Sequence, residues 1–245
     1  MADRDEGASL RLFLIHFAGG SASMYGDWHG LLPTDVAHQC VQLPGRQERR
    51  AEGAFTEIEP LVDALLAALS AELDHRPYAL FGHCLGAMLA YRLAIAAERV
   101  GLARPVLIGA SGWAPEGFAV LAPEKMRLPT AEFANWVRDV GLLPAEVFQD
   151  RQMLDLALPV LRADLSVYAS YQDDGARSSS PIVTYSGASD ALMGPGAMAS
   201  WSDRSSSYLG NCSFPGDHFF IYEQAIAITA DLIQRARRQA HLAVT

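Results

Sequence analysis

The chain has 245 residues, of which 50% are hydrophobic and 19% are charged, a composition that supports a buried core and excludes intrinsic disorder. Its 28 acidic and 19 basic residues give a formal net charge of -9, which argues against a nucleic-acid partner because phosphate binding requires a basic surface. The cysteines are sparse and form no C-x-x-C pair, which argues against disulfides and structural zinc. The N-terminus is acidic and precedes only a short apolar run, so we expect a cytoplasmic protein without a membrane partner.

Six apolar segments, each bounded by turn residues, have the length of buried strands. They are Leu10–Ile15, Cys40–Leu43, Tyr78–Phe81, Pro105–Gly109, Pro181–Tyr185 and Ser207–Phe214. Apolar residues at helical spacing predict a helix from Ile58 to Leu73, and we expect further helices at Leu85–Arg99 and from about Phe219 to about Arg238. Because strands alternate with helices, we predict an α/β fold with a mostly parallel central sheet flanked by helices.

The pattern changes between Gly112 and Gly175, where the chain is helical, rich in aromatic residues and without a clear strand. We therefore predict a single domain over residues 1–245, with an insertion at approximately 112–175 that lies over one end of the sheet. Its functional interpretation is a lid over a binding site, and its structural interpretation is a helical cap.

The segment Gly82-His83-Cys84-Leu85-Gly86 stands between a predicted strand and a predicted helix. It has the G-x-nucleophile-x-G pattern of a nucleophile elbow, with cysteine where serine is usual. Such a turn is strained and closely packed, which explains the two glycines, and it sets the sulfur at a helix N-terminus that favours the thiolate. The alternative is a small buried cysteine in a tight turn.

A cysteine nucleophile needs a base, and in α/β-hydrolases the acid and then the histidine follow the nucleophile along the chain. His218 lies between the last strand and the last helix, which is the place of that base. Asp190 follows the predicted strand Pro181–Tyr185 and is the candidate acid, which would fix the tautomer of His218. Asp203 and Asp217 are rivals, but neither follows a strand directly.

An oxyanion hole requires two backbone N–H groups. One would come from Leu85, directly after the nucleophile, and the other from the loop after the first strand, where Ala18 precedes Gly19 and Gly20. An ordinary glycine turn is the alternative interpretation of that loop.

Four further stretches, in order along nearly the whole chain, resemble motifs of the type II thioesterases of nonribosomal-peptide and polyketide assembly lines. They are Ala18–Ser23, similar to H-A-G-G-S-A-S; Leu43–Arg49, similar to L-P-G-R-E-x-R; Leu158–Asp164, similar to L-P-x-L-R-A-D; and Phe214–Phe220, similar to F-P-G-G-H-F-F. The resemblance implies the α/β-hydrolase fold with a helical lid. It also implies a transient partner, an acyl or peptidyl carrier protein whose phosphopantetheine thiol carries an acyl or aminoacyl group.

Carried over residue by residue, the resemblance assigns Cys84 as nucleophile, Asp190 as acid and His218 as base. The backbones of Ala18 and Leu85 become the oxyanion donors, and no metal or organic cofactor is implied. Three positions depart from the family pattern. They are Cys84 for serine in G-H-S-x-G, Phe17 for histidine in P-H-A-G-G, and Trp113 for arginine in S-G-R.

The cysteine changes the chemistry, because its acyl-enzyme is a thioester that keeps the activation of the substrate. Our first hypothesis is hydrolysis of carrier-bound acyl groups, and the second, close behind it, is transfer of the group to another carrier through Cys84. A non-catalytic carrier-binding module is a third hypothesis, and a small-molecule esterase or lactone hydrolase has lower weight. Since carrier proteins are acidic, we also expect a local basic patch that includes Arg46, Arg49, Arg50 or Arg162.

Overall fold

A six-stranded sheet, in which every neighbouring pair of strands is parallel, forms the centre of the molecule. The computed structural model describes residues 7–119 and 122–244, so the acidic residues of the N-terminus lie outside the described part. The strands are β1 (Leu10–Ile15), β2 (Val36–Val41), β3 (Tyr78–His83), β4 (Leu107–Ser111), β5 (Ile182–Gly187) and β6 (Tyr208–Phe214). Their order across the sheet is β2-β1-β3-β4-β5-β6.

Helices cover both faces of this sheet. They are α1 (Ile58–Glu72), α2 (Leu85–Arg99), α3 (Thr130–Val140), α4 (Arg151–Ser170), α5 (Phe220–Glu223) and α6 (Ala225–Val244). Alternate residues of β1 enter two separate cores, with Leu12 and Leu14 against α6 and with Phe13 and Ile15 against α1 and α2. Burial of the strand on both faces explains why its residues Leu12–Ile15 form an uninterrupted apolar run.

The predicted α/β class and parallel sheet are confirmed, but several predicted boundaries are wrong. Strands β3 to β6 differ from the prediction by one or two residues at one or both ends, and two elements differ by more. The second strand spans Val36–Val41 and not Cys40–Leu43. It lies at the edge of the sheet and is only half-buried, so it tolerates polar residues such as His38 and Gln39 that broke the apolar pattern. The last helix is interrupted at Gln224 and continues to Val244, beyond the predicted end at Arg238.

The connection between β4 and β5 contains α3, α4 and two short 3-10 turns, within the range predicted as an insertion. Helix α4 begins at an N-cap, because the side chain of Asp150 accepts hydrogen bonds from the backbone N–H groups of Gln152 and Met153. It packs against α1 and thereby reaches across the carboxyl ends of the strands. Its role as a lid stays a prediction. Of the helices in the described ranges, none is long and apolar enough to cross a membrane.

The chain turns sharply at Cys84, where β3 ends and α2 begins. Cys84 has φ 54° and ψ -116°, a backbone conformation that residues with a side chain rarely adopt. A Cβ atom on Gly86 would lie 2.1 Å from the carbonyl oxygen of Ile15, and one on Gly82 would lie 2.0 Å from the carbonyl oxygen of Gly86. Gly86 is therefore required for α2 to approach β1 this closely, and Gly82 is required for the end of β3 to lie against the first turn of α2.

We expect Gly86→Ala to destabilise the fold by at least about 2 kcal/mol, because the clash is with backbone and no side chain can move aside. Gly53→Ala is the matched control, since a Cβ there meets nothing within 4 Å and it should change stability by less than about 1 kcal/mol. Urea unfolding of the two variants measures the difference. Equal stability would contradict the packing described at the elbow.

Candidate active site

The structure brings Asp190 and His218 together at the carboxyl end of the sheet. The Nδ1 atom of His218 lies 2.8 Å from Oδ2 of Asp190, and both side chains are buried. The other carboxylate oxygen of Asp190 accepts the N–H of Leu192 at 2.9 Å, which fixes the orientation of the carboxylate. Its rival Asp217 accepts the N–H of Phe219 and caps a turn, while Asp203 is exposed. Asp190 is therefore the carboxylate that orients the histidine.

Cys84 lies on the other side of His218 and completes a row of three side chains. The two residues form a side-chain hydrogen bond, and both line one small cavity. The backbone N–H of Cys84 donates to the carbonyl oxygen of Ser111 at 2.7 Å, so the elbow is tied to the end of β4. The cysteine is buried. This row can hold a proton on the histidine next to a sulfur nucleophile.

The charges around His218 favour its protonated form. Burial alone lowers its pKa, but the negative charge of Cys84 and the hydrogen bonds to Asp190 and Cys84 act in the opposite direction and raise the pKa to about 10. At neutral pH His218 is therefore an imidazolium next to the sulfur of Cys84. A neighbouring cation of this kind favours the thiolate form of a cysteine.

Two other histidines near the elbow are structural. His83 has no exposed surface, its Nδ1 lies 2.9 Å from Oγ of Ser111, and burial places its pKa well below the usual value. His16 is equally buried, and burial together with the charge of Arg46 lowers its pKa to about 4. Both rings are therefore uncharged at neutral pH, which leaves His218 as the charged histidine of this region.

Ala18 and Leu85, the predicted oxyanion donors, line the same cavity as Cys84 and His218. The cavity has a volume of about 10 Å³, which is too small for an acyl chain. Its remaining wall consists of Phe17, Phe118, Leu142, Leu165, Tyr168 and Phe219. These mostly apolar side chains surround the sulfur of Cys84 and leave the cavity almost closed.

A wider groove of about 380 Å³ lies on the far side of Phe219. The end of α3 and the turn after it form one wall, and residues 189–192 after β5 form the other. His218 and Phe219 border both the groove and the closed cavity. The side chain of Phe219 packs edge-on against Phe17, with ring centroids 5.3 Å apart, and so separates the two spaces.

The expectation of a basic patch is wrong for Arg46, which is buried and forms an ion pair with Asp164. Arg162 stacks on the ring of Phe133 at 3.9 Å, and Arg49 pairs with Glu52. Arg49 is 40% exposed and Arg50 is exposed, as the expectation requires. Arg46 was expected on the surface because the sequence shows no partner for it. The burial of Arg46 and Asp164 was the feature that sequence reasoning missed, although both residues lie inside the quoted motifs Leu43–Arg49 and Leu158–Asp164.

Over residues 7–119 and 122–244, no group of three or more His, Cys, Asp or Glu side chains is placed to hold a metal ion.

Comparison with known proteins identifies relatives over almost the whole chain. A family model described as thioesterase domain matches residues 10–236. Gramicidin S biosynthesis protein GrsT of Aneurinibacillus migulanus is 32% identical over 223 residues, covering 91% of this chain and 87% of that protein.

Two solved structures share the fold. RedJ, a thioesterase from the prodiginine biosynthetic pathway in Streptomyces coelicolor, matches with a TM-score of 0.83 and 32% identity, covering 94% of this chain and 92% of its own. BorB, a type II thioesterase from the borrelidin biosynthetic cluster, matches with a TM-score of 0.84 and 28% identity over 95% and 96% of the two chains. The prediction of an α/β-hydrolase fold is thereby confirmed.

Removing the sulfur should lower the pKa of His218. In the unmodified protein the imidazolium persists until the pH rises through about 10. In Cys84→Ala the charge and the hydrogen bond of Cys84 that raise this pKa are lost, while burial, which lowers it, remains. The imidazolium of the variant should therefore deprotonate at a lower pH. Titration of the ¹⁵N-histidine NMR signals measures this, with His218→Gln to assign the resonance.

Cys212→Ala is the matched control, because Cys212 packs against the core on the α6 side and not in the site. It should leave the titration of His218 unchanged. The same His218 pKa in Cys84→Ala and in the unmodified protein would show that the two side chains do not form a charged pair.

Proposed function

The chain belongs to the thioesterase family, and we propose that it hydrolyses acyl or aminoacyl groups from the phosphopantetheine thiol of a carrier protein through an acyl-S-Cys84 intermediate. The observation that carries the proposal is the row of Cys84, His218 and Asp190 at a strained elbow. RedJ and BorB, by their names, serve natural-product biosynthesis, which supports editing or release in such a pathway as the setting.

In the first step the Cys84 thiolate attacks the carbonyl carbon of the incoming thioester, and a new carbon–sulfur bond forms. The carbonyl oxygen becomes an oxyanion, which the backbone N–H groups of Ala18 and Leu85 would stabilise. The intermediate then collapses with cleavage of the carbon–sulfur bond to phosphopantetheine. The departing thiolate takes the proton held by His218, whose raised pKa keeps that proton available at neutral pH.

In the second step the neutral His218 accepts a proton from water, and the resulting hydroxide attacks the acyl-S-Cys84 carbonyl. Collapse of this second intermediate releases the carboxylic acid and returns the Cys84 thiolate beside the His218 imidazolium. Asp190 accepts the hydrogen bond from Nδ1 of His218 throughout, so that Nε2 is the atom that exchanges the proton. No metal or organic cofactor takes part in these two steps.

The substrate needs a route to the sulfur, because the cavity around Cys84 has a volume of only about 10 Å³. We propose that the phosphopantetheine arm enters along the groove between α3 and residues 189–192, which borders His218. Entry then requires Phe219, or the end of α3 and the turn after it, to move away from the cavity. This movement is the function that we assign to the predicted lid.

Transfer to a second carrier is the alternative, and two features favour it. Cysteine attack exchanges one thioester for another, so the acyl group stays activated for a second thiol. Moreover, Tyr168 and His218 are the main polar side chains among the cavity residues, so the site offers little to hold an attacking water. A purely binding module is disfavoured, since a strained elbow and a buried charged pair have no use in docking.

A two-carrier assay separates these outcomes. The enzyme is mixed with an acyl-loaded carrier and an empty second carrier, and both carriers are followed by intact mass. We expect free acid to form, with turnover lower by on the order of 10³-fold or more in Cys84→Ala because the nucleophile is lost.

Acyl label on the second carrier would support transfer in place of hydrolysis. Cys84→Ser is the matched variant, since its oxygen ester cannot return the group to a thiol as readily, and it should reduce any transfer relative to hydrolysis. Unchanged turnover in Cys84→Ala would refute the covalent route.

A further inference from the structure

Arg46 and Asp164 form a bidentate ion pair beside the active site. The Nη1 and Nη2 atoms of Arg46 lie 2.7 Å from Oδ2 and 2.7 Å from Oδ1 of Asp164, in the fork geometry that suits a guanidinium and a carboxylate. The side chains are 6% and 2% exposed, respectively. The pair joins residues 118 positions apart, one in the loop after β2 and one in the middle of α4.

This ion pair also binds the loop that carries the oxyanion donor. Oδ2 of Asp164 accepts the backbone N–H of Gly19 at 2.7 Å, and Nη1 of Arg46 donates to the carbonyl oxygen of Gly20 at 3.1 Å. Gly19 directly follows Ala18 in the chain. The ion pair therefore holds the peptide groups on the C-terminal side of Ala18 from both directions, through one acceptor and one donor.

The packing around Gly19 shows how little room this loop has. Gly19 has φ +78°, and a Cβ atom there would lie 3.1 Å from side-chain atoms of Leu143 and Leu161. The loop is thus pressed against α4 at the residue where Asp164 holds it. Within the loop, the N–H of Gly20 donates to the carbonyl oxygen of Phe17 at 3.0 Å, a turn that spans Ala18. A shift of the ion pair would be passed directly to the Ala18 peptide.

We propose that Arg46 and Asp164 are positioning residues that aim the backbone N–H of Ala18 at the oxyanion of the reacting thioester. The inference rests on the proposed function, since it needs a carbonyl under attack by Cys84. An oxyanion donor works only when it lies about 2.7–3.1 Å from the developing negative charge, and small misplacements cost large factors in rate. Neither side chain lines the cavity, so both act through the loop.

The test uses two reactions of the same sulfur. Acylation of Cys84 by a small acyl-N-acetylcysteamine thioester passes through an oxyanion, whereas alkylation by iodoacetamide displaces iodide and forms none. The variant is Arg46→Met with Asp164→Leu, which removes both charges together and so leaves no unpaired charge in the interior. We expect acylation to slow by about 10²-fold and alkylation to stay within about twofold of the unmodified protein.

The matched control is Arg11→Met with Glu72→Leu. Arg11 is likewise buried and paired with a carboxylate, at 3.2 Å, but it lies at the opposite end of β1 from the loop. Both reaction rates should stay unchanged in this control. Should the first variant not fold, Arg46→Lys keeps a cation beside Asp164 but loses the fork, and we expect about a tenfold loss of acylation with normal alkylation.

Two results would overturn the proposal. Acylation at the normal rate in these variants would show that the ion pair does not position the donor. A parallel change in acylation and alkylation would show that it controls access to Cys84, as an anchor of the lid would. The acyl-N-acetylcysteamine probe requires no carrier protein. Failure of the carrier assay described above would therefore count against the proposed function only, and the acylation and alkylation rates would still test whether the ion pair positions the donor.

Discussion

At Cys84 the chain leaves β3 and enters α2 with a φ of 54°, a conformation that costs on the order of 1–3 kcal/mol for a residue with a side chain. The surroundings hold it there, because Gly82 and Gly86 remove the Cβ atoms that would collide with backbone and Ser111 accepts the N–H of Cys84. The sulfur consequently projects at the N-terminus of α2, within reach of His218. Every other feature of the site is arranged around that one turn.

Two buried pairs of side chains complete the arrangement, and the proposals above give them different tasks. In the proposed reaction, the pair of Cys84 and His218 takes part in bond making, and the proton on His218 moves in each step. The pair of Arg46 and Asp164 holds still and fixes the loop that begins at Ala18. Arg46 is neutralised locally by Asp164, so the net charge of -9 says little about the electrostatics of the site.

Much of this architecture could be predicted from the sequence, because it follows local rules. The elbow has a fixed spacing, and the order of nucleophile, acid and histidine selected Asp190 and His218, which the structure places 2.8 Å apart. The bounds of the edge strand β2 were not predicted correctly, since a half-buried strand need not be apolar. The ion pair of Arg46 with Asp164 was not predicted either, because a contact between residues 118 positions apart depends on tertiary packing that no local pattern records.

In the proposed reaction the acyl group rests on Cys84 as a thioester. Rapid quenching of the enzyme with an acyl-loaded carrier, followed by mass mapping of the peptide that contains Cys84, measures this directly. We expect an acyl adduct on that peptide that neutral hydroxylamine removes, and an adduct in Cys84→Ser that resists the same treatment because it is an oxygen ester. An adduct on any other residue, or one in the unmodified enzyme that survives neutral hydroxylamine, would rule out a thioester on Cys84.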